Sequence, residues 1–489
     1  MTLYVFNANI VCKTILSREG KSLPVNSFEN YPMPWIPDKE KLKSPIYISI
    51  AELLEQDIQS GKLAGNTKLP PQRELADFLD LNLSTITRAF KICENKGLIY
   101  ANIGQGTFVS PNAAIPFLHK ANNGCVELGI IRPFYQYNKI VADIAQKTIQ
   151  RNTSQYLFEF DSISESYKHK QTAIKWLKSF HIETEPENIM LTAGTQNALT
   201  IVFLALFHSG DKILTDSYTY SNFIGLARQL NVQLISVAAD EDGMIPDLVE
   251  KQCRIMDIKG IFLMPSCNNP TGTVMSMERK RKIASLIQQY HLILMEDDAY
   301  GFIANDTGEP IQTLIPDNTI YLHSLSKSLS AGLRCAYMVI PDCLRQTFLE
   351  TANNVNLKIP LLNAEIISEL IASGNAGRII GQKKRQAKER NRIYKKYFPD
   401  SICPNEYSFF QWLPLPAHYN GYQLEMQATD NGIHIFCSDR FTVGKAESTA
   451  IRIATCSPDS LQQLETGLKT LKHLLDKNQQ YISQANFII

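Results

Sequence analysis

Four groups of residues with chemically useful side chains follow strands that we predict in the second half of the chain. Residues 194–196 read Gly-Thr-Gln before an apolar helix, where backbone N–H groups and a hydroxyl can bind an anion. Asn269 lies in the turn sequence Asn-Pro-Thr-Gly, and Asp297 precedes Tyr300 by three residues. Lys327 ends the sequence Ser-Leu-Ser-Lys. The four groups offer an anion site, an amide, a carboxylate with a phenol, and an amine.

Each group has an ordinary structural explanation when it is taken alone. A glycine before a helix is commonly a tight turn, and Asn-Pro-Thr-Gly is commonly a loop. An acidic residue at a strand end usually caps a helix, and most lysines are solvated. However, all four groups follow the carboxyl ends of predicted strands, which is where open α/β sheets bind their ligands. Their common position therefore predicts a single ligand site.

The elements that must position these groups alternate between short apolar strands and helical patterns. This alternation predicts an α/β domain with a largely parallel sheet and helices on both faces. The predicted strands are 188–191, 212–215, 233–237, 260–264, 292–296, 319–323 and 336–340. From about residue 363 the chain is richer in helical patterns, with late strands at 406–413 and 449–454. This tail predicts a smaller α+β domain.

Residues 45–110 have a different pattern. Apolar residues at helical spacing predict a first helix that ends near Gly61, a second helix over 72–79 and a third over 84–96. Two short strands then flank a glycine turn at 104–106. Three helices followed by a β-hairpin predict a winged helix-turn-helix.

In such a module the second helix of the pair lies in the major groove of DNA and its first turns face the base edges. The formal net charge of the chain is only +1, and residues 45–110 hold six basic against seven acidic side chains. This balance leaves open a module that binds a partner protein, so any DNA-binding surface must be local. The predicted DNA-binding residues are Arg73, Ser84, Thr85, Thr87 and Arg88.

The order of three motifs favours DNA. The sequences KLPPQRELA at 68–76, TITRAF at 85–90 and GQGTFV at 104–109 together resemble the GntR-type winged helix. The resemblance implies binding to double-stranded operator DNA. Many members of that family begin the reading helix with Ser-Arg, whereas this chain has Asn82-Leu83.

From about residue 127 to the C-terminus, the motifs resemble those of the fold-type I aminotransferases, and the resemblance implies pyridoxal 5′-phosphate (PLP) as cofactor. It implies that Lys327 forms an imine with the PLP aldehyde. It also implies that Asp297 keeps the pyridine nitrogen protonated, while Asn269 and Tyr300 hydrogen-bond the ring hydroxyl oxygen. Lys327, Asp297 and Tyr300 are therefore the predicted catalytic residues.

The same resemblance implies contacts to the other parts of the ligand. Tyr220 stacks on the cofactor ring. Arg452 forms a forked pair with the α-carboxylate of a substrate. The phosphate is held by Ser324, Arg334, Thr195 and the N–H group of Gln196.

One part of the family pattern is missing. The family usually has Tyr, Gly and Arg where an ungapped match places Phe160, Glu165 and Lys170. The tyrosine hydroxyl of that pattern reaches the phosphate bound to the neighbouring subunit, which a phenylalanine is unable to do. Tyr156 and Tyr167 are the nearby candidates to replace it.

A GntR-type winged helix joined to an aminotransferase-like domain is the architecture of the MocR regulators, which this chain resembles from residue 35 onward. The resemblance implies a homodimeric transcription regulator in which a small amino compound displaces Lys327 and forms an external aldimine held by Arg452. An alternative is a genuine PLP-dependent aminotransferase that carries a vestigial winged helix, so transaminase activity stays open. A third interpretation is a regulator that senses PLP alone.

The predicted domain organisation has four parts. They are a disordered extension (1–32), the winged helix (33–110), a linker (111–126) and the aminotransferase-like region (127–489, with its large domain over 127–360 and its small domain over 361–489). The ten cysteines include no CxxC pair, and the chain has no secretory signal or long apolar run. These features predict a cytoplasmic protein without a membrane segment or a metal site. A basic run over 383–396 has helical spacing and predicts a solvated helix face.

Overall fold

The computed structural model describes residues 35–485 apart from gaps at 60–61, 64, 66, 103–105, 111–124, 152–153, 160–166, 305–307, 403–404, 417–418 and 445–447. The predicted extension and most of the predicted linker therefore lie outside the described residues. The chain divides into two compact units, Met1–Asn123 and Gly124–Ile489.

The first unit is a three-helix fold with a hairpin. Its elements are α1 (Ile46–Gln59), α2 (Gln72–Leu79), α3 (Leu83–Asn95), β1 (Ile99–Asn102) and β2 (Gly106–Val109). The helices pack through apolar residues at helical spacing, among them Leu54, Leu75 and Phe90, which are all buried. The turn between α2 and α3 begins at Asp80, whose left-handed backbone (φ 57°) lets its N–H bond to the carbonyl oxygen of Ala76. The predicted helix order and hairpin are confirmed, although the hairpin tip falls in a gap.

The second unit is built on a seven-stranded sheet. Its strands are β4 (Ile189–Thr192), β5 (Lys212–Asp216), β6 (Gln233–Val237), β9 (Ile258–Leu263), β10 (Ile293–Asp297), β11 (Thr319–Ser324) and β12 (Ala336–Val339), and the spatial order is β4-β12-β11-β10-β9-β5-β6. Strand β12 runs antiparallel to both of its neighbours. All seven predicted strands are present within one or two residues of their predicted ends. Short strand pairs add β3 (Val126–Glu127), β7 (Ala239–Asp240) and β8 (Gly243–Met244).

Helices cover both faces of this sheet. Alternate residues of one strand enter different apolar clusters: Ile320 and Leu322 face one cluster, and Tyr321 between them faces another. The helices are α4 (Asn138–Ile149), α5 (Tyr167–Lys178), α6 (Thr195–Leu206), α7 (Ser221–Gln229), α8 (Pro246–Ile255), α9 (Met277–Gln289), α10 (Leu325–Ser328) and α11 (Arg345–Val355). The predicted α/β class is confirmed.

The last part of the chain adds a smaller α+β layer. It comprises α12 (Leu361–Ala372), α13 (Asn375–Tyr397), β13 (Gln411–Pro414), α14 (Gly421–Asp430), β14 (Ile433–His434), β15 (Phe436–Cys437), β16 (Ala450–Ile453) and α15 (Leu461–Ala485). The strand predicted over 406–413 is wrong for its first half. Asn405 accepts a hydrogen bond from the Tyr407 N–H group, and Ser408 donates to the carbonyl oxygen of Phe410, so side chains replace a strand ladder there.

The predicted solvated face of the basic run is also wrong in part. Lys383 and Arg390 on α13 are buried, 1% and 4% exposed, while Arg385 and Arg392 face solvent. Arg390 donates to the carbonyl oxygens of Thr455 and Pro458, which offsets the cost of burying its charge. Within the described part of the chain, no helix has the length and apolar character to cross a membrane.

Candidate cofactor site and DNA-binding surface

Lys327 lies on the short helix α10, directly after β11. Its side chain is enclosed, and Nζ donates a hydrogen bond to the carbonyl oxygen of Ile131 at 3.2 Å. Burial lowers the pKa of the Lys327 amine to about 8, and the positive charges of Arg452 and Arg334 act in the same direction. More of this amine is therefore unprotonated near neutral pH than of an exposed lysine, which is the form that attacks an aldehyde.

Asp297 ends β10, and Tyr300 follows it in the next turn. Both side chains are buried, and the Asp297 carboxylate accepts the Ala299 N–H at 3.1 Å. Burial raises the pKa of Asp297 to about 7, and the neighbouring Asp298 acts in the same direction. Among the described residues, no cation pairs with this carboxylate. A protonated pyridine nitrogen would supply the positive charge that is missing.

Arg452 lies in β16 and contacts residues from two other segments. Its Nη1 donates to Asn269 Oδ1 at 2.8 Å and its Nη2 to the carbonyl oxygen of Gly129 at 2.5 Å. Its Nε has no hydrogen-bond partner among the described residues. Burial lowers the pKa of Arg452 to about 10, so the guanidinium stays charged at neutral pH. A buried cation with an unused N–H donor is suited to binding a carboxylate.

The start of α6 forms the floor of an anion site. Gly194 precedes the helix with φ 84°, and the Thr195 hydroxyl is buried without a partner in the described part of the chain. A Cβ atom built on Gly194 would lie 2.6 Å from Nη2 of Arg334. The absence of a side chain at Gly194 therefore lets the guanidinium approach the helix N-terminus, where backbone N–H groups also attract an anion.

The serines before Lys327 complete this anion site. Ser324 is buried and its Oγ accepts the N–H of Ser326 at 3.4 Å. Ser326, which the sequence interpretation did not select, has its Oγ 3.4 Å from Nη1 of Arg334. Its position one residue before the lysine in Ser-Leu-Ser-Lys was the available signal.

Tyr220 precedes α7 and packs against the apolar cluster under the sheet. Burial raises its pKa to about 12, and the nearby Asp297 carboxylate acts in the same direction. The positive charges of Arg334 and Arg452 act on the pKa of Tyr220 in the opposite direction. The structure thus brings all ten predicted ligand-binding residues to one end of the sheet.

This arrangement fits PLP. A buried carboxylate without a cation among the described residues matches a pyridinium, an anion site with an unused hydroxyl matches a phosphate, and a deprotonable lysine matches an aldehyde. The individual roles remain predictions.

Three consecutive carbonyl groups, here called the 129–131 segment, cross this site. The carbonyl oxygen of Gly129 accepts from Arg452, that of Ile130 from Ser457 Oγ, and that of Ile131 from Lys327. The segment therefore occupies donors on both the amine and the guanidinium.

The positions that depart from the family pattern are only partly described. Phe160 and Glu165 lie outside the described residues, and Lys170 is half-buried on α5. Tyr156 and Tyr167, the candidate replacements, are 39% and 68% exposed. The effect of Phe160, which stands where the family has a tyrosine, on the phosphate site therefore stays a prediction.

The predicted DNA-binding residues lie together on α2 and α3 of the first unit. Four of them are exposed, namely Arg73, Ser84, Thr87 and Arg88, and Thr85 is half-buried. The Thr87 hydroxyl donates a hydrogen bond to Gln72 Oε1 at 2.8 Å, which joins the two helices at this surface. Neither arginine forms an ion pair with a described residue, so both guanidinium groups are available to phosphates or bases.

Comparison with known families matches both units. The family model for aminotransferase class I and II matches residues 124–468, and that for bacterial regulatory proteins of the gntR family matches residues 46–109. The uncharacterized HTH-type transcriptional regulator YdeF of Bacillus subtilis is 36% identical over 93% of this chain and 99% of its own length. The chain belongs to the MocR-type regulators.

Other relatives of this MocR-type chain agree with both parts. The uncharacterized HTH-type transcriptional regulator YjiR of Escherichia coli is 26% identical over 88% of this chain and 97% of its own length. Among solved structures, an archaeal alanine:glyoxylate aminotransferase covers 74% of this chain and 93% of its own, with a TM-score of 0.69 and 22% identity. LysN, the alpha-aminoadipate aminotransferase of Thermus thermophilus, has a TM-score of 0.67 and 20% identity, and the match covers 74% of this chain and 94% of LysN. These structures show the fold of a fold-type I aminotransferase domain. The match to the family model for aminotransferase class I and II confirms the predicted cofactor, PLP.

Proposed function

We propose that this MocR-type regulator binds PLP at Lys327 and senses a small amino compound that changes the affinity of its winged helix for operator DNA. One observation carries the proposal. The same chain has an exposed helix-turn-helix surface and a site with a buried amine, Lys327, and a buried carboxylate, Asp297, that has no cation beside it among the described residues. Bound PLP supplies an aldehyde that condenses with amines and a ring that withdraws electrons.

Different residues of this chain hold the cofactor and the amino compound. Asp297 holds the pyridine nitrogen in its protonated form, and Arg334 with the α6 N-terminus holds the phosphate. Arg452 and Asn269 orient the carboxylate of the amino compound beside Lys327. This is allostery only if the amino compound binds the two DNA-binding arrangements with different affinities.

The test is a mobility shift on the upstream region of the protein's own gene, with and without PLP. We expect wild type to shift the DNA and to change affinity with PLP. Lys327→Ala should lose both the visible absorption of the imine and the response to PLP. Arg88→Ala should lose the shift and keep the absorption. A shift retained by Arg88→Ala would show that α3 is not the reading helix.

The second candidate is a genuine aminotransferase with a vestigial winged helix. The intact Arg452–Asn269 pair beside Lys327 favours it, because transamination requires a held carboxylate and a lysine that moves a proton. Robust turnover of an amino donor with a 2-oxo acid, together with no operator shift, would select this function. A DNA affinity that responds to PLP and to no amino compound would instead select a PLP sensor.

We also propose a homodimer in the cytoplasm. Among the exposed apolar side chains of the second unit, three lie on neighbouring elements: Ile149 at the end of α4, Phe158 in the 3-10 helix Ser154–Phe158, and Tyr167 at the start of α5. All three elements pack against α12. Burying such a set against a second copy removes apolar surface from water. It also brings two winged helices to one operator.

A further inference from the structure

A cavity of about 550 Å³ lies in the second unit, beside the ends of β5 and β9. None of the ten predicted ligand-binding residues is among the described residues that line it. Its size is within the range of cavities that hold small organic ligands. The proposed function therefore leaves this cavity without a role.

The walls of the cavity are largely apolar and include two aromatic rings. The ring centroids of Tyr218 and Trp412 are 5.3 Å apart. The Tyr218 hydroxyl is fixed, because it donates to the carbonyl oxygen of Ser448 at 2.7 Å and accepts the Ser448 N–H at 3.0 Å. The buried thioethers of Met264 and Met275 line the same cavity. Aromatic rings attract cations, and thioethers pack well against apolar and aromatic groups.

The charged residues that line the cavity are all acidic. They are Asp216, Asp240, Glu241 and Asp400, and no lysine, arginine or histidine is among the described lining residues. Arg279 pairs with Asp240 at 2.8 Å and compensates that charge. Glu241 and Asp400 are exposed to solvent, whereas Asp216 is only 7% exposed. The cavity therefore favours a cation over an anion.

Asp216 is the buried carboxylate of this cavity. It ends β5, and Nδ2 of Asn268 donates a hydrogen bond to it at 3.0 Å. Within the described part of the chain, no cation pairs with it. An ionised carboxylate in an apolar enclosure is unfavourable unless a positive charge lies nearby, and burial accordingly raises the pKa of Asp216 to about 7. A ligand cation would supply the missing charge.

We propose that this cavity, here called the acidic cavity, binds a small organic ammonium ion with an aromatic or apolar body. The Asp216 carboxylate and the rings of Tyr218 and Trp412 attract the positive charge, and the apolar walls pack against the rest of the ligand. Asn268 lines the acidic cavity, while the next residue, Asn269, belongs to the candidate cofactor site. The ammonium site is thus adjacent to the cofactor site and distinct from it, and its ligand forms no covalent bond.

The probe is benzyltrimethylammonium, and isothermal titration calorimetry on the full chain at pH 8 measures its affinity. At this pH Asp216 is mostly ionised, and a quaternary nitrogen is unable to form an imine with PLP. We expect one saturable site per chain. Phenylmethanesulfonate, an anion with the same benzyl group, should bind at least about tenfold more weakly. The absence of saturable binding, or equal affinities for the two probes, would overturn the proposal.

Two sets of variants locate the site. Asp216→Asn should weaken binding of benzyltrimethylammonium about tenfold or more, because it removes the buried negative charge. Trp412→Leu should weaken it about fivefold or more, whereas Trp412→Phe, which keeps an aromatic ring, should retain most of the affinity. Unchanged affinity in both Asp216→Asn and Trp412→Leu would overturn the proposal.

Asp297→Asn is the matched control, because Asp297 is also a buried aspartate at the end of a strand but lies in the candidate cofactor site. It should leave the affinity for the probe unchanged. A loss equal to that of Asp216→Asn would place the probe in the cofactor site and reject the proposal. The titration needs neither an imine nor DNA, so a missing imine or operator shift would reject the proposed function without deciding this inference.

Discussion

Three buried carboxyl groups of the second unit have their pKa raised to about 7 by burial: Asp216, Glu296 and Asp297. An unfolded chain ionises such groups near pH ~4, so between these values the folded state binds more protons than the unfolded state. Their contribution to the free energy of unfolding therefore falls as pH rises from about 4 to about 7. Asp216 is the best to test, because Asn268 at 3.0 Å is its one hydrogen-bonded side chain among the described residues and it lies outside the predicted ligand set.

Asp216→Asn should therefore stabilise the cofactor-free protein at pH 8 and have much less effect at pH 5. The expected difference is on the order of 1–4 kcal/mol, and melting temperatures at the two pH values measure it. Asp240→Asn is the contrasting control. Arg279 lowers the pKa of Asp240, so this variant should lose stability at pH 8 and the loss should shrink as pH falls below about 4. Equal effects of Asp216→Asn on stability at both pH values would contradict the raised pKa of Asp216 in the folded protein.

The sequence predicted a set of ligand residues that the structure places at one end of the sheet, and it missed residues whose position depends on burial. Lys327 and Asp297 were predictable because their motifs occur in a fixed order after strands. Lys383 was not, because a lysine within a basic helical run has the pattern of a solvated face, and only tertiary packing directs it inward. Ser326 belonged to a motif that was already recognised, but its contact with Arg334 depends on the turn after α10.

At the scale of elements, strand existence was more predictable than strand ends. Alternating apolar runs located all seven strands of the sheet, because a strand buried on both faces is apolar throughout. The segment 406–413 has a similar composition, yet hydrogen bonds from Asn405 and Ser408 to nearby backbone replace the first half of the predicted strand. Such competition depends on local geometry that composition does not record.

The N-terminus of α6 gives a prediction at this scale. Gly194→Ala should weaken PLP binding about tenfold or more, because a Cβ atom 2.6 Å from Arg334 displaces the guanidinium from the phosphate site. Gly210→Ala is the matched control: its φ is 94°, similar to the 84° of Gly194, but its Cβ would meet no described atom within 4 Å. Absorbance titration with PLP compares the two. Equal losses in both variants would mean that backbone strain alone is responsible.

The packing of α3 gives a second prediction at the scale of elements. Phe90 is buried in the apolar core of the first unit, so Phe90→Ala should destabilise that unit by about 3–5 kcal/mol. We expect the operator shift to be lost at a lower temperature than in wild type, while PLP absorbance is unchanged. Protease digestion followed by mass spectrometry would locate the first cleavage within residues 35–110. A simultaneous loss of PLP absorbance would show that the two units do not unfold independently.

At the scale of the whole molecule, the proposed homodimer depends on exposed apolar side chains of the second unit. Phe158→Asp should reduce the molar mass in solution from twice that of the chain to that of one chain, because a carboxylate opposes burial at this position. Light scattering after size-exclusion chromatography measures the mass. Ile255→Asp is the matched control, since Ile255 is 63% exposed and Phe158 is 67% exposed. A dimer that survives Phe158→Asp would place the interface elsewhere.

The 129–131 segment links the candidate cofactor site to the start of the second unit. Its three carbonyl groups accept from the Lys327 amine, the Ser457 hydroxyl and the Arg452 guanidinium, so a ligand held by Lys327 and Arg452 would compete with two of these carbonyl groups. Ligand binding would thus replace hydrogen bonds of the 129–131 segment with hydrogen bonds to the ligand. This segment starts only a few residues after Gly124, where the second unit begins. A ligand bound at the candidate cofactor site would therefore act on a segment that is only a few residues, along the chain, from the connection to the DNA-binding unit.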